Sequence, residues 1–474
     1  MISPAHSDVA FSLTKYYFGD VVASVIKSLF NFDQASLRTL RYTLPRIATK
    51  EIRRALLVLI KYQLVDYVKT VKNSSQLYEY SLVPARLFSF FSIPTFVSSI
   101  EIFEESIASS IMNSLTRKAL LNRENLLQTT LNDLKGFEMQ AGDCDVKARV
   151  SDMIENLVAR RYLVSTSDNL CMNINKLNRE HRDIIVMKTI YAHYNRDIKV
   201  KSIFKTVLDL SIENTADDAT ITAPVPLRDM MNNLVPRCFT DKINMENYLE
   251  KLTSESNNRF LLSSGVHPNK GPMYAINIGS VIDYLTREEL SSMVTARYGP
   301  KCCRVFRVLQ LKGPLLLKEI EEFIMLPARD VREYSYMLIK DGFIKNRQVP
   351  KTPDNAPGKS VFIMSVELDQ LVYSATDICC YAITNLLTRY EFELNRNESL
   401  ISRSKAVQKL MQSNDGADMD IDSWSQYFNS HELSQLDLVN RTLDKILLAK
   451  AQVEETLFLL HTWITLHPNF TLED

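Results

Sequence analysis

The stretch QVPKTPDNAPGKSVF at residues 348–362 contains the Gly358-Lys359-Ser360 sequence that is typical of a phosphate-binding loop. Such a loop requires a glycine five positions before the Gly-Lys pair, so that successive backbone N–H groups surround the phosphates. Pro353, which has no N–H group, occupies that position. The loop must also lead into a helix, whereas the VFIMSV sequence after Ser360 is β-branched and apolar and predicts a strand. The sequence therefore predicts no nucleotide site here.

A second candidate for chemistry is the HRD sequence at residues 181–183, which resembles the catalytic loop of protein kinases. That loop needs asparagine five positions after the aspartate, and Lys188 stands there instead. We interpret HRD as a solvated helix segment. The seven histidines are scattered without the HExxH spacing of a zinc site. Because no nucleophile, base and oxyanion donor occur together, we expect a chain that is not itself an enzyme and holds no cofactor or metal.

Composition narrows the class of protein. Apolar residues make up 46% of the 474 residues, which predicts folded domains with real cores. The 56 basic and 56 acidic residues balance, so the chain as a whole does not attract nucleic acid, and any such contact must come from a local patch. Glycine is scarce at 11 residues, which argues against glycine-rich cofactor loops.

The cysteines and the hydropathy indicate the compartment. Neither Cys302-Cys303 nor Cys379-Cys380 has the CxxC spacing of a zinc site, and an odd count of seven fits buried thiols in a reducing compartment. We read Cys302 and Cys303 as small apolar residues of a buried helix. The first residues lack the features of a signal peptide, and no apolar run approaches the ~18–20 residues of a membrane span. We therefore expect a soluble, intracellular protein with no membrane contact.

The elements that position these residues recur along the chain. VLIKYQLV at 58–65, LVARRYLV at 157–164 and MLIKDGFI at 337–344 align without a gap, and a looser copy lies at 249–262. Each copy predicts the apolar end of a helix, followed by a short polar break and the start of a strand. The copies are separated by domain-sized intervals, unlike the 20–50 residue period of a solenoid.

Each repeat predicts a helix followed by a two-stranded hairpin. In the first, Thr49 is the predicted N-cap of a helix with Ile52, Leu56, Leu59 and Ile60 on one face. Asp145 is the predicted cap in the second repeat. Helices followed by a hairpin form a winged-helix domain, so PKTPDNAPGK is the predicted wing tip of the fourth repeat. A helical protein with four chance hairpins is the alternative.

The C-terminal part predicts two long helices. A seam at alternating spacings of three and four, interrupted by Lys450 alone, consists of Leu436, Val439, Leu443, Ile446, Val453, Leu457, Leu460 and Ile464. An earlier helix is expected over about 369–412, with an acidic, turn-prone link between the two. This pattern indicates an antiparallel coiled-coil hairpin, and the core of a helical domain is the alternative.

The predicted fold is thus mainly α with small β wings, arranged as four tandem winged-helix domains followed by a C-terminal antiparallel coiled-coil hairpin. The expected domains are 1–85, 86–177, 178–280 with a variable link at about 214–226, 281–368, and the hairpin at 369–474.

Basic residues gather on the first unit and on the helix and wing of the fourth. Those of the first unit are Arg38, Arg41, Arg46, Lys50, Arg53 and Arg54. In a DNA-binding winged helix such residues contact phosphates, which position the protein without reading sequence. Acidic neighbours such as Glu51 and Glu333 favour protein docking instead. Both interpretations stay open.

Several local sequences resemble one family across nearly the whole chain. They are YYFGDVVASVIKSL and ALLVLIKYQLV in the first unit, MYAINI at 273–278, ARYGPKCCRVFRVL at 296–309, IMLPARDV at 324–331, VPKTPDNAPGKSVF at 349–362 and QVEETLFLL at 452–460. The chain resembles the C subunit of RNA polymerase III, the winged-helix member of that enzyme's initiation heterotrimer. The link at 214–226 fits a variable insertion in the family's third unit.

The resemblance implies a nuclear, non-catalytic subunit that supports promoter recruitment, DNA opening and initiation at tRNA and 5S rRNA type genes. The implied partners are the two smaller subunits of the heterotrimer, the polymerase clamp in the largest subunit, the promoter-bound initiation factor and promoter DNA. Candidate nucleic-acid contacts are Lys345, Arg347, Lys351, Lys359, Arg53 and Arg54. Candidate docking residues on the hairpin are Leu436, Leu443, Leu457 and Leu460.

Two other classes of protein remain as alternatives. A sequence-specific winged-helix transcription regulator should carry a net positive DNA-binding domain, which the balanced charge disfavours. A scaffold of a proteolytic or ubiquitin-related assembly should show helical repeats before a single terminal winged helix.

Overall fold

The computed structural model describes residues 4–72, 75–103, 106–134, 143–166, 169–217, 219–234, 242–254, 260–268, 270–350, 360–413 and 427–467. The chain divides into two compact bodies, which are larger than the winged-helix units described below. One comprises Met1–Ile174 with Asp377–Leu457, and the other comprises Asn175–Thr376 with Phe458–Asp474. No helix in the described ranges is long and apolar enough to cross a membrane.

The first winged-helix unit ends in the hairpin with the longest strands of the chain's described part. Its elements are α1 (Pro4–Phe18), α2 (Asp20–Phe30), β1 (Ala35–Ser36), α3 (Leu37–Thr43), α4 (Thr49–Lys61), β2 (Val65–Lys72) and β3 (Ser75–Leu82). Helix α4 buries Ile52, Leu56 and Leu59, as its apolar spacing predicts. The predicted N-cap is wrong by one residue: Ala48 holds the extended backbone of the cap, so Thr49 is the first helical residue.

The second unit repeats this order after one additional helix. Its elements are α5 (Pro84–Phe91), α6 (Ile93–Phe103), α7 (Ser106–Lys118), β4 (Leu121–Asn122), α8 (Arg123–Leu134), α9 (Asp143–Ala159), β5 (Leu163–Thr166) and β6 (Asn169–Met172). Helix α9 begins at Asp143, two residues before the cap that the sequence predicts, and the side chain of Asp145 lies outside the described part of the chain.

In the third unit, the segment at about 214–226 that the sequence predicts to be a variable insertion, called the insertion below, follows the second helix. The elements of this unit are α10 (Ile174–His193), α11 (Ile198–Ser211), a 3₁₀ turn (Ile212–Asn214), β7 (Val225–Pro226), α12 (Leu227–Leu234), α13 (Lys242–Ser254), β8 (Leu261–His267) and β9 (Gly271–Ile276). Thr222 holds the insertion to the sheet, because its Oγ1 accepts a hydrogen bond from the backbone amide of Ile276 at 2.9 Å.

The fourth unit ends in a hairpin whose two strands precede and follow residues 351–359. Its elements are α14 (Ile278–Tyr298), α15 (Pro300–Lys312), β10 (Leu315–Leu316), α16 (Leu317–Ile324), α17 (Ala328–Lys340), β11 (Lys345–Pro350) and β12 (Ser360–Ser365). The strand predicted after Ser360 is present, and it pairs antiparallel with β11 from Lys345↔Ser365 to Pro350↔Ser360. The wing tip at 351–359 lies outside the described residues.

All four units share one sheet topology within the described ranges. A two-residue strand pairs with the last strand of the hairpin, so the orders are β1-β3-β2, β4-β6-β5, β7-β9-β8 and β10-β12-β11, all antiparallel. In all four described sheets, the first hairpin strand therefore lies at an edge and the second hairpin strand lies in the centre. This recurrence is the physical basis of the repeat in the sequence.

The C-terminal helices are α18 (Leu368–Arg396), α19 (Glu398–Ser413) and α20 (Ser430–Leu466). The single helix predicted over 369–412 is interrupted at Asn397, whose side-chain amide donates to the carbonyl of Glu393 at 3.0 Å. The ion pair of Arg403 with Glu432 at 2.7 Å joins the two arms. Most of the predicted acidic link, residues 414–426, lies outside the described residues.

The chain is therefore mainly α, with four tandem winged-helix units followed by an antiparallel helical hairpin. The domain boundaries given above stay a prediction.

Candidate nucleic-acid and partner interfaces

In the described part of the fourth unit's wing, two candidate cations share one carboxylate. Lys345 Nζ lies 2.8 Å from Glu367 Oε2, and Arg347 Nη2 lies 3.2 Å from Glu367 Oε1. One carboxylate therefore offsets part of the charge of both residues. Lys351 and Lys359, the other two candidates on this wing, lie outside the described residues.

The second helix of the helix-turn-helix in this unit, α17, presents a mixed surface. Arg332 pairs with Glu321 at 3.5 Å. Tyr336 is 68% exposed and Met337 is 39% exposed, whereas a phosphate-binding face would show cations there. Close to neutral and partly apolar, this helix is better suited to a protein surface than to a nucleic-acid backbone.

The corresponding helices of the first unit carry more exposed basic residues than α17 does. Arg53 and Arg54 lie exposed on α4, the helix equivalent to α17, and Arg38 and Arg41 lie exposed on α3. Arg46 lies exposed between the two helices, and Lys50 lies exposed at the start of α4. Within the described ranges, none of the six makes an ion pair with an acidic residue. In this part of the chain, no described carboxylate lies within ion-pair distance of these six charges.

The wing of the first unit adds aromatic side chains to this basic surface. The rings of Tyr67 and Tyr78 lie 6.3 Å apart and are 56% and 43% exposed. Lys69 pairs directly with Tyr78 across the hairpin. Burial raises the pKa of Tyr80, and the positive charge of Arg53 on α4 acts in the opposite direction. Unpaired cations next to exposed aromatic rings form a surface that can contact phosphates and stack on bases.

The four leucines that the sequence predicts as docking residues are buried or partly buried within the chain. Leu436, Leu457 and Leu460 are 9%, 6% and 0% exposed, and Leu443 is partly buried. They line the inner side of α20, as a coiled-coil seam should. Leu438 and Leu448, on the outer side of α20, are 66% and 62% exposed. Docking by the hairpin stays a prediction.

The HRD sequence is buried, so its interpretation as a solvated segment is wrong. Arg182 is 5% exposed and donates to Asp183 at 3.0 Å and to the carbonyl of Asp217 at 2.7 Å. Arg179 joins the cluster and donates to the carbonyls of Thr215 and Ile212 at 2.9 and 3.0 Å. The cluster anchors the start of the insertion after α11. Its acid is held by arginines and cannot act as the exposed base of a kinase loop.

Other candidate sites do not assemble in the described residues. No group of three His, Cys, Asp or Glu side chains lies close enough to hold a metal ion there. Cys302 and Cys303 are 0% and 5% exposed on α15, which confirms their interpretation as small buried residues. Burial raises the pKa of the Cys302 thiol to about 11, so it stays protonated at neutral pH.

Comparisons with known proteins identify relatives at both ends of the winged-helix array. Residues 8–70 match the RNA polymerase III subunit RPC82 helix-turn-helix domain, and residues 290–366 match the POLR3C C-terminal winged-helix domain. The first range lies within the first unit, and the second covers the fourth unit from the middle of α14 to the end of β12.

The chain is also similar to curated proteins named DNA-directed RNA polymerase III subunit RPC3. The mouse protein is 28% identical over 304 residues, which cover 63% of this chain and 56% of the relative. The human protein is 27% identical over 295 residues, covering 62% and 54%. The Aspergillus niger protein is 29% identical over 117 residues, covering 25% and 19%. The match therefore spans about half the length of the animal relatives. These findings confirm the resemblance to the C subunit of RNA polymerase III.

Proposed function

We propose that this chain, a relative of the RPC3 proteins, is a non-catalytic subunit of RNA polymerase III in the nucleus. With two smaller subunits it sits on the polymerase clamp, supports recruitment to promoters of tRNA and 5S rRNA type genes, and helps open the DNA. The observation that carries the proposal is the order of four winged-helix units before a helical hairpin, with family matches to the first and the fourth unit.

Within this role, the first unit is the nucleic-acid contact and the fourth unit faces protein. The six unpaired cations around α3 and α4 support the first assignment. The shared carboxylate of Glu367 and the exposed Tyr336 support the second. A chain with balanced overall charge binds DNA weakly by itself, so recruitment depends on the promoter-bound initiation factor and on the rest of the polymerase.

The first experiment is purification of the tagged chain from nuclear extract, followed by mass spectrometry. The proposal predicts recovery of the full set of polymerase III subunits, with the two smaller partners retained at high salt. Recovery of the chain alone, or with an unrelated assembly, would contradict it. Sequence-specific binding of promoter DNA by the chain alone would instead support the transcription regulator.

The role in DNA opening needs its own test. An extract depleted of the chain should fail to initiate on a closed tRNA gene and should recover when the recombinant chain is added. On a template with a pre-opened bubble, the depleted extract should keep most of its activity, because opening is no longer required. Equal loss on both templates would show a role in assembly or elongation instead.

A further inference from the structure

The solvent-facing side of α18 and α19 carries a stripe of uncharged residues. Its members are Tyr381, Asn385, Thr388, Phe392, Asn395 and Ser399, all exposed and separated alternately by four and three positions. Tyr381 and Phe392 are 52% and 53% exposed and are the large side chains of the stripe. At 1.5 Å per residue, the stripe extends for about 27 Å along the helix axis.

Charged residues border the stripe with opposite signs on its two sides. Because a helix turns 100° per residue, Arg389 and Arg396 lie along one edge, and Glu391 and Glu398 lie along the other. A seam without charge, flanked by acids on one side and bases on the other, is the pattern of a helix that packs against a second helix. The inner seam of this helix is a different face, which includes the buried Ile383 and Leu387.

The exposed side of α20 shows how a solvated face of the same hairpin differs. Separated by three and four positions, the exposed residues on that side are Leu438, Arg441, Lys445, Leu448, Gln452 and Glu455. A face with charges inside the stripe is stable in water without a partner. The stripe on α18 and α19 has none from Tyr381 to Ser399.

The bordering charges indicate what the partner carries. Arg389 is engaged by Glu393 at 2.5 Å, and Glu391 by Lys15 at 2.7 Å. Arg396 and Glu398 make no ion pair with any residue that the structure describes. One free cation and one free anion on opposite edges do not suit a nucleic-acid backbone, which would need cations on both. They suit a partner that presents an acid on one side and a base on the other.

We propose that this stripe binds an amphipathic α-helix of another protein. The partner helix places aliphatic side chains against Tyr381 and Phe392, an acidic residue near Arg396 and a basic residue near Glu398. A second copy of this chain is a poorer occupant. Symmetric pairing would place the polar Asn385, Thr388 and their equivalents opposite one another, with only two aromatic layers to stabilise the contact. The proposal rests on the proposed function only in that the hairpin docks onto another subunit.

Photo-crosslinking in the intact assembly tests the proposal directly. Benzoylphenylalanine is placed at position 392 of the tagged full-length chain, and at position 448 in the control. Irradiation of the purified assembly should link position 392 to a segment of a different protein, with aliphatic residues at three and four spacing and flanking charges of opposite sign. Crosslinks to nucleic acid, to a second copy of the chain, to no other molecule, or equally from position 448 would overturn it.

The affinity of variants at the two aromatic residues for the crosslinked protein gives a quantitative test. Phe392→Glu together with Tyr381→Glu should weaken its binding at least about tenfold, because buried aromatic anchors supply much of the affinity of such contacts. Leu448→Glu changes an equally exposed residue of the same hairpin and should leave the affinity within about twofold. Unchanged binding by the double variant, with an unchanged thermal unfolding curve, would also overturn the proposal.

These outcomes separate the inference from the proposed function. If the tagged chain recovers polymerase III but position 392 links to no helix, the inference fails and the proposed function stands. If position 392 links to a helix of an unrelated assembly, the inference stands and the proposed function fails.

Discussion

Lys450 Nζ lies 2.8 Å from Glu454 Oε1, and the two side chains are only 7% and 10% exposed. The same ammonium group lies 5.9 and 5.7 Å from the ring centres of Tyr16 and Tyr17. The one charged residue in the seam of α20 is therefore matched by a carboxylate one turn later and by two aromatic rings of α1. This arrangement explains how the seam tolerates the lysine.

Removal of Lys450 alone should destabilise the folded chain. Lys450→Met leaves Glu454 buried without its partner, and we expect the free energy of unfolding to fall by about 3 kcal/mol. Lys450→Met with Glu454→Met should recover most of that loss, because neither charge remains buried. Denaturant unfolding of both variants measures this. A double variant no more stable than the single one would show that the pair itself stabilises the hairpin.

The buried His181 should make the protein sensitive to acid. Burial is the main cause that lowers its pKa from 6.5 to about 4, and its ring packs against Phe458 with centroids 4.8 Å apart. The folded chain keeps this histidine neutral while the unfolded chain binds a proton, so stability falls as pH falls from 6.5 to about 4. The loss is at most about 3 kcal/mol.

Unfolding measured at pH 7, 6 and 5 tests this linkage. His181→Phe should reduce the pH dependence, whereas His431→Gln changes an exposed histidine and should leave it unchanged. An unaltered pH profile in His181→Phe would assign the acid sensitivity to other groups.

The cations of the first unit should dominate binding to duplex DNA. Arg53→Gln with Arg54→Gln removes two unpaired charges, and the slope of log affinity against log salt should become shallower by about 2. Fluorescence anisotropy of a labelled promoter fragment, titrated with the assembled polymerase, measures the slope.

A matched pair on the fourth wing serves as the comparison. Lys345→Gln with Arg347→Gln removes the same formal charge, but Glu367 already offsets part of it. We expect this pair to change the slope by less than about half as much. A larger effect on the fourth wing would assign the nucleic-acid contact to the fourth unit instead.

The arginine cluster of the third unit should fix the start of the insertion. Arg179→Lys cannot reach the carbonyls of Ile212 and Thr215 with the same fork of donors, and should destabilise the chain by about 1–3 kcal/mol. Hydrogen exchange should accelerate first around residues 212–217. Arg441→Lys alters an exposed ion pair with Asp437 and should change stability by less than about 0.5 kcal/mol. Unchanged exchange in Arg179→Lys would mean that the insertion is held by other contacts.

Local patterns were sufficient for much of the fold. Helix α4 and the strands after it follow from apolar spacing and β-branched runs, and these depend only on neighbours along the chain. The burial of Cys302 and Cys303 and the antiparallel hairpin follow in the same way. The sequence does not predict the break at Asn397, because asparagine also occurs within helices and the contact of its side chain with the carbonyl of Glu393 depends on the folded backbone.

The sequence by itself determined the repeated helix-and-hairpin unit, the seam of α20 and the unusual position of Lys450, because periodicity separates an inner face from an outer one. Only the tertiary structure decided what covers each face and which charges are paired. Glu367 is about twenty positions from Lys345 and Arg347, yet it contacts both. The HRD cluster is buried by a segment more than thirty positions away. Charge pairing and burial depend on distances in space, which the local order of residues does not contain.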